Sequence, residues 1–326
     1  MRVFSAFFLP SFDWIQIEVS GLCNAQCFYC PHTVWRKDWL GANLSLATFK
    51  KLLPYFKKTK LVYLQGWGEP LLNPEFFEMV RLAKAQGVKV GFTTNGTLIN
   101  EDLAEKIVFS KVDVLALSLA GIETNDRLRK GTSLNQVLKA IETINSVKTL
   151  KQQNPQIHIA YMLLRSNEYE LERLPEFLAE YGIREIIVSL LDFVPSKDLE
   201  EECLAPQTEE DFNLLKKRAE KVAEKAKSLG LKMIFNLPSP CSQGRVCSEN
   251  PIKSLFINSL GMVSPCVFTG IPVKQKTNVY FGNIHQETLK AIWNKQEYKE
   301  FREAHLSRAK PPVCATCPKA RIELVF

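Results

Sequence analysis

The stretch Trp14–Cys30, WIQIEVSGLCNAQCFYC, decides how this chain is read. A β-like run, Trp14–Val19, passes within a few residues into three cysteines, Cys23, Cys27 and Cys30, with three and then two residues between them. Where thiols are kept reduced, so tight a trio points to metal rather than to disulfides. Three thiolates on a cubic four-iron, four-sulfur cluster leave one iron without a protein ligand. An open coordination position separates a reactive metal centre from a structural one.

Outward from this stretch, short β-branched runs alternate with amphipathic helical stretches up to about residue 230. The strands expected are Trp14–Val19, Leu61–Gln65, Val88–Thr93, Val114–Ser118, Ile157–Leu163 and Glu185–Leu190. Asn73 and Pro74 have the chemistry of a helix start, and Gly87 that of its left-handed stop. Ser133 with Gln136 reads as a capping box, and Thr208 as the cap of a long helix ending near Gly230. Six strand–helix repeats require parallel strands with right-handed crossovers, which fits either a doubly wound sheet or a barrel.

After residue 232 the character changes. Strand-like Met233–Asn236 is followed by Pro238, Pro240 and two cysteines. A hairpin pattern comes next, Leu255–Asn258 and Met262–Ser264, ending in Cys266. An amphipathic helix then leads to Pro311–Pro312 and the pair Cys314-x2-Cys317. Residues 1–232 and 233–326 are therefore expected to be two domains. By spacing alone, the thiolates from these separated positions fit tetrahedral zinc as well as a fully ligated iron–sulfur cluster.

The chain has 326 residues, nine cysteines and a formal charge of +7, enough for a large α/β core and too long for a disulfide-stapled fold. The excess charge lies in stretches such as Lys216–Lys232, where Lys and Arg alternate with Glu as on a solvated helix face. A nucleic-acid partner is not expected. The apolar run Val3–Leu9 is short and meets Pro10 without a small-residue cleavage pattern, and no apolar stretch is long enough to span a bilayer. The expected location is cytoplasmic.

CNAQCFYC, with Tyr29 before its last cysteine, resembles the signature of the radical S-adenosylmethionine (SAM) superfamily. The resemblance implies a partial (β/α)6, TIM-like barrel of α/β class. It also implies that Cys23, Cys27 and Cys30 hold a [4Fe-4S] cluster whose open iron chelates SAM. Reductive cleavage would then give methionine and a 5′-deoxyadenosyl radical that abstracts hydrogen from a substrate. Other motifs follow the expected strands, where parallel α/β barrels build their sites. GWGEP, residues 66–70, is similar to the GGEP motif, with Trp67 inserted, and implies that Gly66, Gly68 and Glu69 receive the SAM ammonium. The resemblance also places Thr94, Asn95, Ser118 and Arg165 at the cofactor, Arg165 through the fit of its fork to a carboxylate. Val188 and Leu190 would flank the adenine or simply pack the core.

Cys247-x13-Gly261-x4-Cys266 resembles the SPASM/twitch extension of the same superfamily. This implies an auxiliary [4Fe-4S] cluster held by four of Cys241, Cys247, Cys266, Cys314 and Cys317. A longer SPASM arrangement would continue with further cysteines where Glu323 stands, so the one-cluster twitch form is expected. GWGEPLL, SLAG and the FGNI…IW…FR stretch look like tungsten-oxidoreductase cofactor-modifying maturases. The implied function is a radical SAM maturase of a peptide or protein, reduced by a ferredoxin or flavodoxin. A small-molecule or cofactor-biosynthesis enzyme, and a non-catalytic zinc or electron-transfer protein, are the alternatives. No general acid or base is identifiable from the sequence.

Overall fold

The computed structural model describes residues 9–148, 154–240, 247–274, 278–307 and 310–326. Its frame is one open sheet of eleven strands. Seven follow in chain order: β1 (Phe12–Ile17), β2 (Thr59–Leu64), β3 (Lys89–Thr94), β4 (Val114–Leu119), β5 (Gln156–Leu163), β6 (Glu185–Leu190) and β7 (Lys232–Pro238). The carboxy-terminal region adds β8 (Ser254–Ile257), β9 (Met262–Ser264), β10 (Gly282–Asn283) and β11 (Ile322–Val325). The spatial order is β10-β9-β8-β1-β2-β3-β4-β5-β6-β7-β11, and β8 and β1–β7 are all parallel.

Parallel strands need crossovers, and amphipathic helices supply them. They include α1 (Phe76–Lys84), α2 (Glu101–Phe109), α3 (Leu134–Val147) and α4 (Glu209–Ser228). One strand face is apolar because it meets these helices: Ile15, Ile17, Val62, Leu64, Val90, Phe92, Leu115 and Leu117 are all fully buried. Residues of opposite parity share the other face. Gln16 pairs with Tyr63, Thr93 with Ala116, and Ser118 with Ala160 and through it Ile187. All seven, with Ser189, line one cavity, so the sheet is curled into an open, partial barrel.

Sequence and structure differ in informative places. The Ser133–Gln136 and Thr208–Asp211 capping boxes are formed. Asn73, however, does not cap α1, which begins at Phe76. Its buried amide donates to Val19 O and Leu44 O, and its Oδ1 accepts from Glu75 N–H. A tertiary tie takes the side chain that local chemistry offered to the helix. The run expected to open the second domain is β7, a seventh parallel strand on β6.

The carboxy-terminal region thus grips both sides of the barrel sheet, through β8 on β1 and through β11 antiparallel to β7. Phe12 and Trp293 meet edge-on at 4.9 Å. Glu323 lies on β11 and pairs with Lys216 at 2.6 Å. Among the described residues, no helix is long and apolar enough to cross a membrane.

Candidate active site

A cavity of about 430 Å³ opens at the carboxyl ends of β1–β6. Cys23, Cys27 and Cys30 line it, with Tyr29, GWGEP residues 66–69, Thr94, Asn95, Ser118 and Arg129. The cysteine loop is mounted by several polar ties. Gln26–Cys27 pairs antiparallel with Arg129–Lys130. Asn24 accepts from Asn95 Nδ2 and donates to Thr97 Oγ1, both at 2.8 Å. Glu69 N–H donates to Leu22 O at 2.7 Å.

The glycines of GWGEP are needed for close approach. A Cβ on Gly66 would lie 2.4 Å from the Glu18 side chain, and one on Gly68 would lie 2.2 Å from Ser20 O. Glu18 is fully buried, and its carboxylate accepts from Trp67 N–H at 2.8 Å and Ser259 N–H at 3.0 Å. Burial pushes its pKa up, and the two backbone donors oppose that rise. Glu18 therefore joins the GWGEP turn to the carboxy-terminal hairpin.

Glu69 is also buried. It accepts from Thr94 Oγ1 and Asn95 N–H at 2.7 Å each and from Leu71 N–H at 3.2 Å. A carboxylate has about four acceptor positions, so one is left for a further donor. Arg129 is 2% exposed and donates through Nη1 to Ser118 O, and its buried Nε has no partner among the described residues.

A second cavity, of about 370 Å³, is lined by Cys247, Cys266, Cys314 and Cys317. It shares Asp192, Phe193, Phe268 and Lys319 with the first. In this common wall Lys319 Nζ lies 2.7 Å from Asp192, with the two side chains 13% and 8% exposed. Burial opposes the lysine's charge, but Asp192 and Glu249 outweigh it and hold its pKa above the usual value. Trp67, Phe193 and Phe268 pack together with centroids 5.7–6.0 Å apart. Trp67 Nε1 donates to Val267 O at 3.1 Å, tying the barrel motif to the residue after Cys266.

A family model described as the radical SAM superfamily matches residues 17–150, and one described as an iron–sulfur cluster-binding domain, SPASM, matches residues 247–318. The chain carries a radical SAM domain and a SPASM domain, and it is an enzyme. The tungsten-containing aldehyde ferredoxin oxidoreductase cofactor-modifying protein of Pyrococcus furiosus is 25% identical over 310 residues, 89% of this chain and 83% of that protein. Mycofactocin maturase MftC of Mycolicibacterium smegmatis is 29% identical over 168 residues, 51% of this chain and 41% of the maturase. The structure of Streptococcus suis SuiB bound to S-adenosylmethionine superposes with a TM-score of 0.72 at 17% identity, covering 96% of this chain and 76% of SuiB. The likeness to SuiB is one of fold.

Both domains imply iron–sulfur clusters, and the donor sets fit them. In the radical SAM cavity, burial pushes the Cys23 thiol up to about 11, and the Cys30 thiol is raised by burial and then by Cys27. In the SPASM cavity, burial pushes Cys247, Cys266 and Cys314 up to about 12. Buried, clustered thiols gain little as free acids, whereas a bound metal reverses that preference outright. Among the described residues, no three His, Cys, Asp or Glu side chains converge tightly enough to grip one ion.

The residues singled out from sequence are mostly gathered in the radical SAM cavity: Cys23, Cys27, Cys30, Tyr29, Gly66, Gly68, Glu69, Thr94, Asn95 and Ser118 all line it. Thr94 and Asn95 spend their side-chain groups on Glu69, Asn24 and the Thr97 turn. Arg165 is not brought there. It is exposed at the start of a 3-10 helix, and its Nε donates to Glu201 O. The buried guanidinium belongs instead to Arg129, which strand-end logic missed because it sits in a two-residue bridge eleven residues beyond Ser118. Leu190 lines the cavity, while Val188 points into the core. Cys247, Cys266, Cys314 and Cys317 share the second cavity, and Cys241 lies outside the described residues.

Proposed function

We propose that this enzyme is a maturase that cleaves SAM reductively at the amino-terminal cluster and modifies a peptide or protein. The observation that carries the reading is the common wall: the three-cysteine cavity and the four-cysteine cavity meet at Asp192, Phe193, Phe268 and Lys319. A substrate group placed against that wall would border both cavities.

In this reading Cys23, Cys27 and Cys30 hold a [4Fe-4S] cluster by three irons, and Cys247, Cys266, Cys314 and Cys317 hold one auxiliary [4Fe-4S] cluster by four. The chemistry supplied by the SAM-loaded cluster is a 5′-deoxyadenosyl radical, which takes a hydrogen atom from the substrate. The remaining acceptor position of Glu69 and the GWGEP carbonyls receive the SAM ammonium, an assembly of three donors. The unpartnered Nε of Arg129 and the Ser118 hydroxyl receive its carboxylate. Tyr29 and Leu190 cover its apolar surface, and the aromatic set Trp67, Phe193 and Phe268 screens the reacting groups from water. A ferredoxin or flavodoxin supplies the electron.

Anaerobic assay for 5′-deoxyadenosine tests this reading. Reduced, reconstituted protein is expected to release it, and undiminished release from Cys27→Ala would refute the cluster assignment. A second reading, action on a small cofactor precursor, is favoured by the cofactor-modifying relative, whose match covers 89% of this chain against 51% for MftC. A neighbouring gene for a short precursor peptide supports the first reading, and cofactor-biosynthesis neighbours support the second.

A further inference from the structure

His305 lies near the carboxyl end of α5 (Gln296–Leu306) and lines the second cavity together with Cys247, Cys266, Cys314 and Cys317. It is 7% exposed. Both ring nitrogens are buried, and neither has a hydrogen-bond partner among the described residues. Phe301, one turn earlier on α5, packs against the ring with centroids 5.0 Å apart and fixes where it sits. An imidazole carries at least one N–H in either protonation state. A buried donor without an acceptor forfeits its hydration and gains nothing in exchange. The sulfurs that would fill this cavity are acceptors.

We propose that His305 donates a ring N–H to a sulfur of the auxiliary cluster and so raises the cluster's reduction potential. The inference rests on the reading that these four cysteines hold an iron–sulfur cluster. Four thiolates already complete the coordination, so the histidine acts as a positioning and tuning residue rather than a ligand. Adding an electron places negative charge on the cluster, and a fixed donor at its sulfur stabilises the reduced form.

The test is a redox titration followed by electron paramagnetic resonance, with iron and sulfide analysis, on full-length anaerobically reconstituted protein. Wild type is compared with His305→Leu, which has no donor, and His305→Gln, which keeps one. The signal that responds to SAM belongs to the first cluster and serves as the internal control. The expected result is that His305→Leu shifts the other cluster to a more negative potential, or loses its iron, while His305→Gln retains both. An unchanged or more positive potential in His305→Leu, or the same behaviour in both variants, would overturn the inference. Zinc, or no second cluster, in the wild-type protein would overturn the underlying reading as well, and metal analysis shows this before any variant is made.

Discussion

The two cysteine sites are built in opposite ways. The first takes three thiols from eight consecutive residues, mounted on the barrel mouth by Asn24, Glu69 and the Gln26–Cys27 bridge. The second takes four thiols from positions 247 to 317, spread over a hairpin and a terminal turn. A short loop on a rigid frame keeps its shape and offers three thiols, which on the proposed reading would leave a cluster corner open for chemistry. The dispersed set offers a full complement, and a metal there would close long loops at an entropic cost that binding must offset. On the proposed reading, one site would serve reaction and the other closure.

The largest effect should come from removing one thiol at each site. Cys27→Ala is expected to abolish SAM cleavage while the second site keeps its iron. Cys266→Ala should lose that iron and still cleave SAM, as read by iron content and 5′-deoxyadenosine release. If both variants lost the same property, the two sites would not be distinct.

Next is the pH dependence of metal uptake. Burial holds three thiols of the second site at about 12 in the metal-free chain, so they are protonated near neutral pH. Each thiol that binds iron must release its proton. Affinity should therefore rise with pH below that value, by about tenfold per thiol engaged for each pH unit. Proton release at constant pH during anaerobic iron titration checks the sign and the count.

Arg129→Met removes the buried guanidinium from the first cavity. A charge-assisted hydrogen bond contributes about 1.5–3 kcal/mol, so SAM affinity should fall roughly 10- to 100-fold by equilibrium binding. Arg165→Met, at an exposed position, should stay within about 0.5 kcal/mol of wild type. Equal losses in the two variants would return the carboxylate to Arg165. Trp67→Phe keeps the aromatic packing but deletes the bond to Val267 O. It should cost about 0.5–1.5 kcal/mol in denaturant unfolding and loosen the contact between the two sites.

Legibility followed the range of the forces involved. Glu185–Leu190 could be read to the residue because the β-branched run Ile186–Val188 marks a strand, one face of which is buried and the other half-buried. The Ser133 capping box is complete within four residues and was equally plain. Asn73 misled because a contact with Val19 and Leu44 outweighed a local cap. Arg129, Glu18 and His305 lay beyond reading for the same reason. Their importance comes from what surrounds them: a bridge to the cysteine loop, two backbone donors from distant turns, and a buried ring with no acceptor among the described residues. Periodicity carries none of these.

Mössbauer spectroscopy of the reconstituted protein, recorded with and without SAM, bears most directly on the contrast between an open and a closed cluster. Two cubic clusters are expected, with a single iron site of one of them changing when SAM is added and the other cluster unmoved. Iron that ignores SAM altogether, or SAM-dependent changes that survive Cys27→Ala, would contradict the account.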